Sequence, residues 1–145
     1  MIEDDIRTYL LTQSPITALV GTDAAGAPAR ISPNDRRQGI TADSIVYQRV
    51  GTEHLQNLNA AQGYATAFIE FDCIGTTYAK AKTLSDTLRG ELQGFRGTAG
   101  GITIYGCTLD DESDDFDPPA DGSGKGLYHV TCVYSFQFTE TVPTF

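Results

Sequence analysis

From Leu127 to Phe138 the chain alternates with a period of two: Tyr128, Val130, Cys132, Tyr134, Phe136 and Phe138 fall on one side, His129, Thr131, Ser135 and Gln137 on the other. Successive strand side chains point to opposite faces, so this run is a strand with one buried and one wet face. A one-sided strand needs neighbours in a sheet and a cover over its apolar side. The sequence supplies that cover, because Ala81, Leu84, Leu88 and Leu92 recur at spacings of three and four and form one apolar stripe on a helix.

That helix sits inside an ordered block. Ile69–Gly75 reads as a strand. The helix then starts near Tyr78, after a cap at Thr76 or Thr77, frays near Gly90 and stops at Gly94. A strand over Ile102–Leu109 follows the turn Gly94-Phe95-Arg96-Gly97, and an acidic run comes next. The strand through residue 69 extends back to Tyr64, with Ala65, Ala67, Ile69, Phe71 and Cys73 facing inwards and Thr66, Glu70 and Asp72 facing water. Ile45–Val50 is β-branched and aromatic, hence another strand. At the start, Ile2, Ile6 and Leu10 share a helical face over residues 2–13, with Glu3, Asp4 and Asp5 in the first turn, where the helix dipole favours negative charge. Ser14-Pro15 halts that helix and begins a short turn buried by Ile16, Leu19 and Val20. Residues 21–44 read as a loop holding at most one brief strand near Ala29-Arg30-Ile31. The expected fold is α+β: a small antiparallel or mixed sheet of about 4–5 strands with two main helices on one face, formed by residues 1–145 as a single domain. Two projecting loops are expected, near 51–63 and 110–126; Leu55 and Leu58 give the first an apolar content that a solvated loop does not need.

A net charge of −9 weighs against nucleic-acid binding, which requires clustered Lys and Arg. Much of that charge is local: residues 110–126 hold Asp110, Asp111, Glu112, Asp114, Asp115, Asp117 and Asp121 against Lys125 alone. The three cysteines, Cys73, Cys107 and Cys132, lie in strand-like runs without CxxC spacing, which reads as buried, reduced thiols rather than a disulfide framework or zinc site. No stretch approaches the ~18 apolar residues of a membrane span. The opening Met1-Ile2-Glu3-Asp4-Asp5 has neither a basic nor an apolar signal region, so folding in a cytoplasm is expected.

Chemistry is hard to find. His54 and His129 each lack a second His or Cys at ligand spacing. Glu70 and Asp72 project from the same side of one strand and resemble paired carboxylates, but they read as a solvated sheet face or an interface with fixed charge. The acidic run offers oxygen ligands for a hard cation but lacks the spacing, the glycine and the terminal glutamate of an EF-hand loop, so it reads as a solvated loop. Gly97–Gly101 follows a helix and precedes a strand, the reverse of a phosphate cradle. No catalytic residue, metal or cofactor is expected.

Several segments occur in a distinctive order: Pro15-Ile16-Thr17-Ala18-Leu19-Val20-Gly21 ending the N-terminal helix, then Tyr47-Gln48-Arg49-Val50, then Phe71-Asp72-Cys73 with Thr77-Tyr78-Ala79-Lys80-Ala81, then Gly94-Phe95-Arg96-Gly97, and finally Asp110-Asp111-Glu112 with Asp117-Pro118. In that order they resemble the tail-completion, or tail-terminator, proteins of long-tailed bacteriophages, prophages and gene-transfer particles, across about residues 2–138. The insertion around residues 117–126 departs from the family in being longer, richer in glycine and more acidic.

The resemblance implies a non-enzymatic virion protein, assembled in the host cytoplasm. Such a protein forms a ring, usually hexameric, on the head-proximal end of the tail tube, where it ends tube polymerisation and docks the neck and head-completion proteins. DNA would pass through without specific binding, and no membrane is involved. On this reading the candidate interface residues are His54, Leu55, Leu58, Glu70, Asp72, Asp110, Asp111, Glu112, Asp114, Asp115 and Asp117. A ferredoxin-like small-molecule enzyme or binding domain is the alternative, and it requires a pocket on the sheet face with convergent polar groups. A subunit of another tubular contractile machine would share the ring logic.

Overall fold

β-branched and aromatic runs drive six segments of this chain into one sheet. A computed structural model describes residues 1–24, 27–34, 42–56, 61–118 and 126–142. The elements in order are α1 (Ile2–Leu10), α2 (Ser14–Val20), β1 (Ile31–Pro33), β2 (Ser44–Gln56), β3 (Ala61–Gly75), α3 (Tyr78–Leu92), β4 (Gly97–Ala99), β5 (Ile102–Asp117) and β6 (Leu127–Thr139). The strands form a six-stranded mixed half-barrel in the order β1-β2-β3-β6-β5-β4. β1 runs parallel to β2, and every other neighbour pair is antiparallel.

This corrects the expected sheet of 4–5 strands with two helices. β1 and β4 have three residues each, too short to carry a period-two signal. Ser14–Val20, expected as a turn, closes a full helical unit that buries Ile16 and Val20. Strands also extend into both segments expected as loops. β2 and β3 run on through 51–56 and 61–63, and β5 runs on through Asp117. In 51–56 and 110–117 polar side chains occur on both faces, so no alternation marks them. The remainder of the two loops, 57–60 with Leu58 and 119–125 with Asp121, lies outside the described residues.

The core is continuous and lies between the helices and one face of the sheet. Ile2, Ile6 and Leu10 from α1, Ile16 and Val20 from α2, and Ala81, Leu84, Leu88 and Leu92 from α3 meet Ile69, Phe71, Val130, Tyr134 and Phe136. Leu84, Leu88 and Leu92 are fully buried, each stabilising the fold by roughly 1.5–3 kcal/mol relative to an exposed position. Phe71 packs edge-on against Tyr134 at a centroid distance of 5.7 Å. The Thr77 side chain caps α3 by accepting from the Lys80 amide. Gly90 does not end the helix: its position is open, and α3 continues to Leu92 before Gly94 takes a positive φ of 79°. Gly75 fixes how α3 leaves β3, since a Cβ there would stand 2.6 Å from the Ala81 amide nitrogen.

An acidic sheet face as the candidate functional site

Pairing register decides which carboxylates share a face. The helix-facing row contains Ile45, Cys73 and Val130, then Tyr47, Phe71 and Cys132, then Ile69 with Tyr134. The residues between them face away. Gln48, Glu70, Val133 and Asp111 form one row there; Val46, Asp72, Thr131 and Ser113 form the next; Ile74, His129 and Asp115 form a third. Glu53 and Asp117 belong to the same face by register, and Asp110, at the irregularity between Leu109 and Asp111, accepts from the Ser135 hydroxyl at 3.3 Å on that side. Among the described strand residues of this face there is no Lys or Arg. The outcome is a sheet face of fixed negative charge.

His129 bridges that face. Its Nδ1 stands 2.8 Å from Asp72 Oδ2, and Thr131 donates to Asp72 Oδ1 at 3.5 Å. Its Nε2 is buried and lies 3.4 Å from Asp117 Oδ2, within ion-pair range but outside hydrogen-bond geometry. A His-Asp pair works in nucleophilic catalysis when its second nitrogen meets a hydroxyl or thiol. Here that nitrogen meets a second carboxylate, so the arrangement ties β3, β6 and β5 together.

Glu112 and Asp114 separate from the other acids. Both stand on the helix side of β5, where Ser85 donates to Glu112 Oε1 at 3.2 Å, the Tyr78 hydroxyl donates to Asp114 Oδ2 at 2.8 Å and Lys82 Nζ reaches Asp114 Oδ1 at 2.7 Å. The hydrogen bond from Lys82, helped by Tyr78, lowers the Asp114 carboxyl below its ordinary value, and Asp114 raises Lys82 in turn. Ser85 also lies 3.3 Å from Cys132 Sγ. All three cysteines are free and buried; burial pushes the Cys107 thiol up to about 12, and a hydrogen bond to Cys132 with burial raises Cys73. Cys73 and Cys107 are thus held as thiols, whereas the hydrogen bond with Cys73, helped by Ser85, lowers Cys132 below its ordinary value.

The third group of candidates lies at the opposite end of the sheet from Asp117. His54 belongs to β2, where its Nδ1 meets the Glu140 carboxylate at 2.7 Å. Leu55 is 57% exposed beside Tyr64 and Tyr105, whose rings are 5.8 Å apart. With Phe138 and Gln137 these residues line a shallow cleft of about 370 Å³. Its lining is mainly apolar and aromatic.

The structure thus brings together Glu70, Asp72, Asp110, Asp111, Asp115 and Asp117, sets Glu112 and Asp114 on the other face, and leaves His54 and Leu55 at the far end. Sequence reasoning missed His129 as the bridge, Tyr78, Lys82 and Ser85 as the anchors of β5, and the Tyr64–Tyr105 pair. Period-two parity carried past Leu109 would have found the first four only if the irregularity at Asp110 were known. Among the described residues no cluster of three or more His, Cys, Asp or Glu is placed to hold a metal ion, and no helix is long and apolar enough to cross a membrane.

No protein-family model matches the chain, and no curated protein matches it significantly. Among solved structures the fold is similar to that of a chain in the "Virion of native gene transfer agent (GTA) particle", with a TM-score of 0.66 and 11% identity over 95% of this chain and 91% of that chain. At that identity the likeness shows a shared fold.

Proposed function

We propose that this chain is a structural virion protein, a tail terminator whose ring sits on the head-proximal end of a tail tube. The ring ends tube growth and presents the surface to which the neck docks. The observation that carries this reading is the fold shared along nearly the whole length of both chains with a component of a gene transfer agent virion. The ordered segments from Pro15 to Pro118 support it independently of the fold.

The electrostatics fit a conduit. Six copies would carry six times −9, and each contributes a sheet face whose described strands hold carboxylates without Lys or Arg. If that face borders the channel, a DNA polyanion passes without adhering, since retention needs phosphate-neutralising cations. Contacts with the tube and neck then fall on the sheet ends, around His54 and Leu55 at one end and the distal half of β5 at the other. The protein is assembled into the particle in the host cytoplasm and acts without catalysis or cofactor.

Deleting the gene in a particle-producing host tests the reading by electron microscopy. Tubes of uncontrolled length and tails without heads are expected. Tails of normal length joined to heads would overturn it.

A further inference from the structure

Aromatic rings meet water at the corner where α3 begins and β5 ends. Phe116 pairs with Tyr128 across the strands, their rings 4.8 Å apart and tilted by 46°; Tyr78, the first residue of α3, has its ring 6.1 Å from that of Tyr128 at 75°. Tyr128 packs partly against the core, whereas Tyr78 and Phe116 are 49% and 47% exposed. The three rings make a stepped aromatic surface on the helix side of the sheet. Phe116 is the one apolar residue from Asp110 to Asp117, and half of it stands in water.

Carboxylates surround this surface. Asp114 accepts from the Tyr78 hydroxyl, Glu112 precedes it on the same side of β5, and Asp115 and Asp117 flank Phe116 along the strand. The described residues 110–118 contain no Lys or Arg. At the inner end of the surface a cation already joins ring to carboxylate: Lys82 Nζ lies 5.4 Å from the centre of the Tyr78 ring and 2.7 Å from Asp114 Oδ1. The outer end has the same components, the Phe116 ring and the Asp117 carboxylate with its side chain 72% exposed, and no Lys or Arg of this strand to join them.

We propose that this outer end receives an arginine carried by a neighbouring protein of the particle, its guanidinium stacked on Phe116 within the field of the surrounding carboxylates. The inference rests on the reading above of a virion component that docks other particle proteins, and it gives the contact surface at this end of the sheet its chemistry.

Charge and shape select the occupant. Phosphate is repelled by these carboxylates, and a wholly apolar segment would strip water from them without pairing them. A guanidinium meets both demands, because its plane stacks on a ring face while its edge donates to carboxylates. Lysine fits less well, since its compact ammonium is more strongly hydrated and presents no plane to the ring. Exposed aromatic residues and arginine are also the residue types that carry most binding energy at protein interfaces.

Two measurements test the site. In the first, the native chain at low salt is titrated with acetyl-Gly-Arg-Gly-amide and with its Gln counterpart, followed by NMR. The Arg peptide is expected to shift the ring resonances of Phe116, Tyr128 and Tyr78 saturably, several-fold more tightly than the Gln peptide, and Phe116→Leu should abolish the difference. No saturable shift, or equal shifts in Phe116→Leu, overturns the site. In the second, p-benzoylphenylalanine replaces Phe116 in assembled particles and is photo-crosslinked, with the linked residue mapped by mass spectrometry. The expected product joins another virion protein within a few residues of an arginine, and replacing that arginine by Gln should lower the yield several-fold. A link to a second copy of this chain, or none in particles whose heads and tails are joined, overturns the arginine site while the ring reading stands. Tails of normal length joined to heads after deletion of the gene remove the ring reading instead.

Discussion

Lys82 Nζ lies 2.7 Å from Asp114 Oδ1, so the first turns of α3 hold the distal half of β5 through a side-chain tether, with the Tyr78 hydroxyl bonded to the other oxygen of the same carboxylate at 2.8 Å. That half of β5 has exposed residues from Asp110 to Asp117 and little apolar burial of its own. Tether and β6 pairing together keep the acidic strand in register.

Replacing Lys82 and Tyr78 together, as Lys82→Met with Tyr78→Phe, is expected to speed amide hydrogen exchange over 112–117 at least several-fold while leaving the global unfolding midpoint nearly unchanged. Exposed pairs contribute little to global stability. The tether also has a pH limit. Asp114 titrates below its ordinary 3.8 in the folded protein, so its contribution is complete above pH 3.8 and disappears as the pH falls through the lower folded value. Exchange measured at pH 5 and again near pH 3 should show protection at 112–117 fall in the native protein. The double variant should show no such step.

Leu88→Ala removes a fully buried side chain from the stripe that seats α3 on β3 and β6. A loss of about 2–5 kcal/mol is expected from urea unfolding, because transfer and cavity terms add. A change below about 1 kcal/mol would show that α3 is not packed on the sheet at that point.

Gly75→Ala is a sharper test of the β3–α3 junction. The added methyl would approach the Ala81 amide nitrogen at 2.6 Å, and backbone cannot step aside as a flexible side chain can. Destabilisation of roughly 1–3 kcal/mol is expected by the same measurement. Gly90→Ala serves as the control: nothing lies near that position in α3, and replacing a helical glycine should stabilise by up to about 1 kcal/mol.

The alkaline limb of stability should carry the signature of Cys107. Its thiol has an ordinary value of 9.0 and is pushed up to about 12 by burial. In that window the unfolded chain releases a proton that the folded chain keeps, so stability falls as pH rises, by roughly 1.4 kcal/mol per pH unit for one group. Cys107→Ala should flatten the dependence by roughly half a proton at pH 9, rising towards one proton at pH 10, measured by urea unfolding at each pH. An unchanged slope would mean that the thiol is not held in protonated form.

What the sequence made legible follows from where each element sits. β6 is central in the sheet and covered on one side, so its alternation from Tyr128 to Phe138 is complete, and the stripe Ala81, Leu84, Leu88, Leu92 is equally plain. Asp110–Asp117 was hidden because an outer strand beyond the core has water on both faces, and without a buried face there is no period to read. β1 and β4 were hidden by length and by neighbours that define them, since three residues become a strand only by pairing with β2 and β5. Glu70 and Asp72 were placed on one face by parity within β3, but their union with Asp111 and Asp115 depends on cross-strand register and on a bulge at Asp110. Register is a property of the assembled sheet.

The acidic face makes a functional prediction separable from folding. Glu70→Lys, Asp111→Lys and Asp115→Lys, combined, move this face by two charges each towards positive at exposed or partly exposed positions; Asp115 is the cross-strand neighbour of His129, but the His129 contact to Asp72 is left in place. The native protein is expected to show no retention of duplex DNA even at about 50 mM salt, and the triple variant to bind it there and release it as salt approaches about 200 mM, because each phosphate contact is lost to counterions. Fluorescence anisotropy with a labelled duplex reads both. In particles, the same variant should assemble tails of normal length yet deliver DNA several-fold less efficiently, since the channel would grip what it must let pass. Tight binding of duplex by the native protein would remove the conduit role from this face. Unimpaired delivery by a triple variant that does bind DNA would place the face outside the channel.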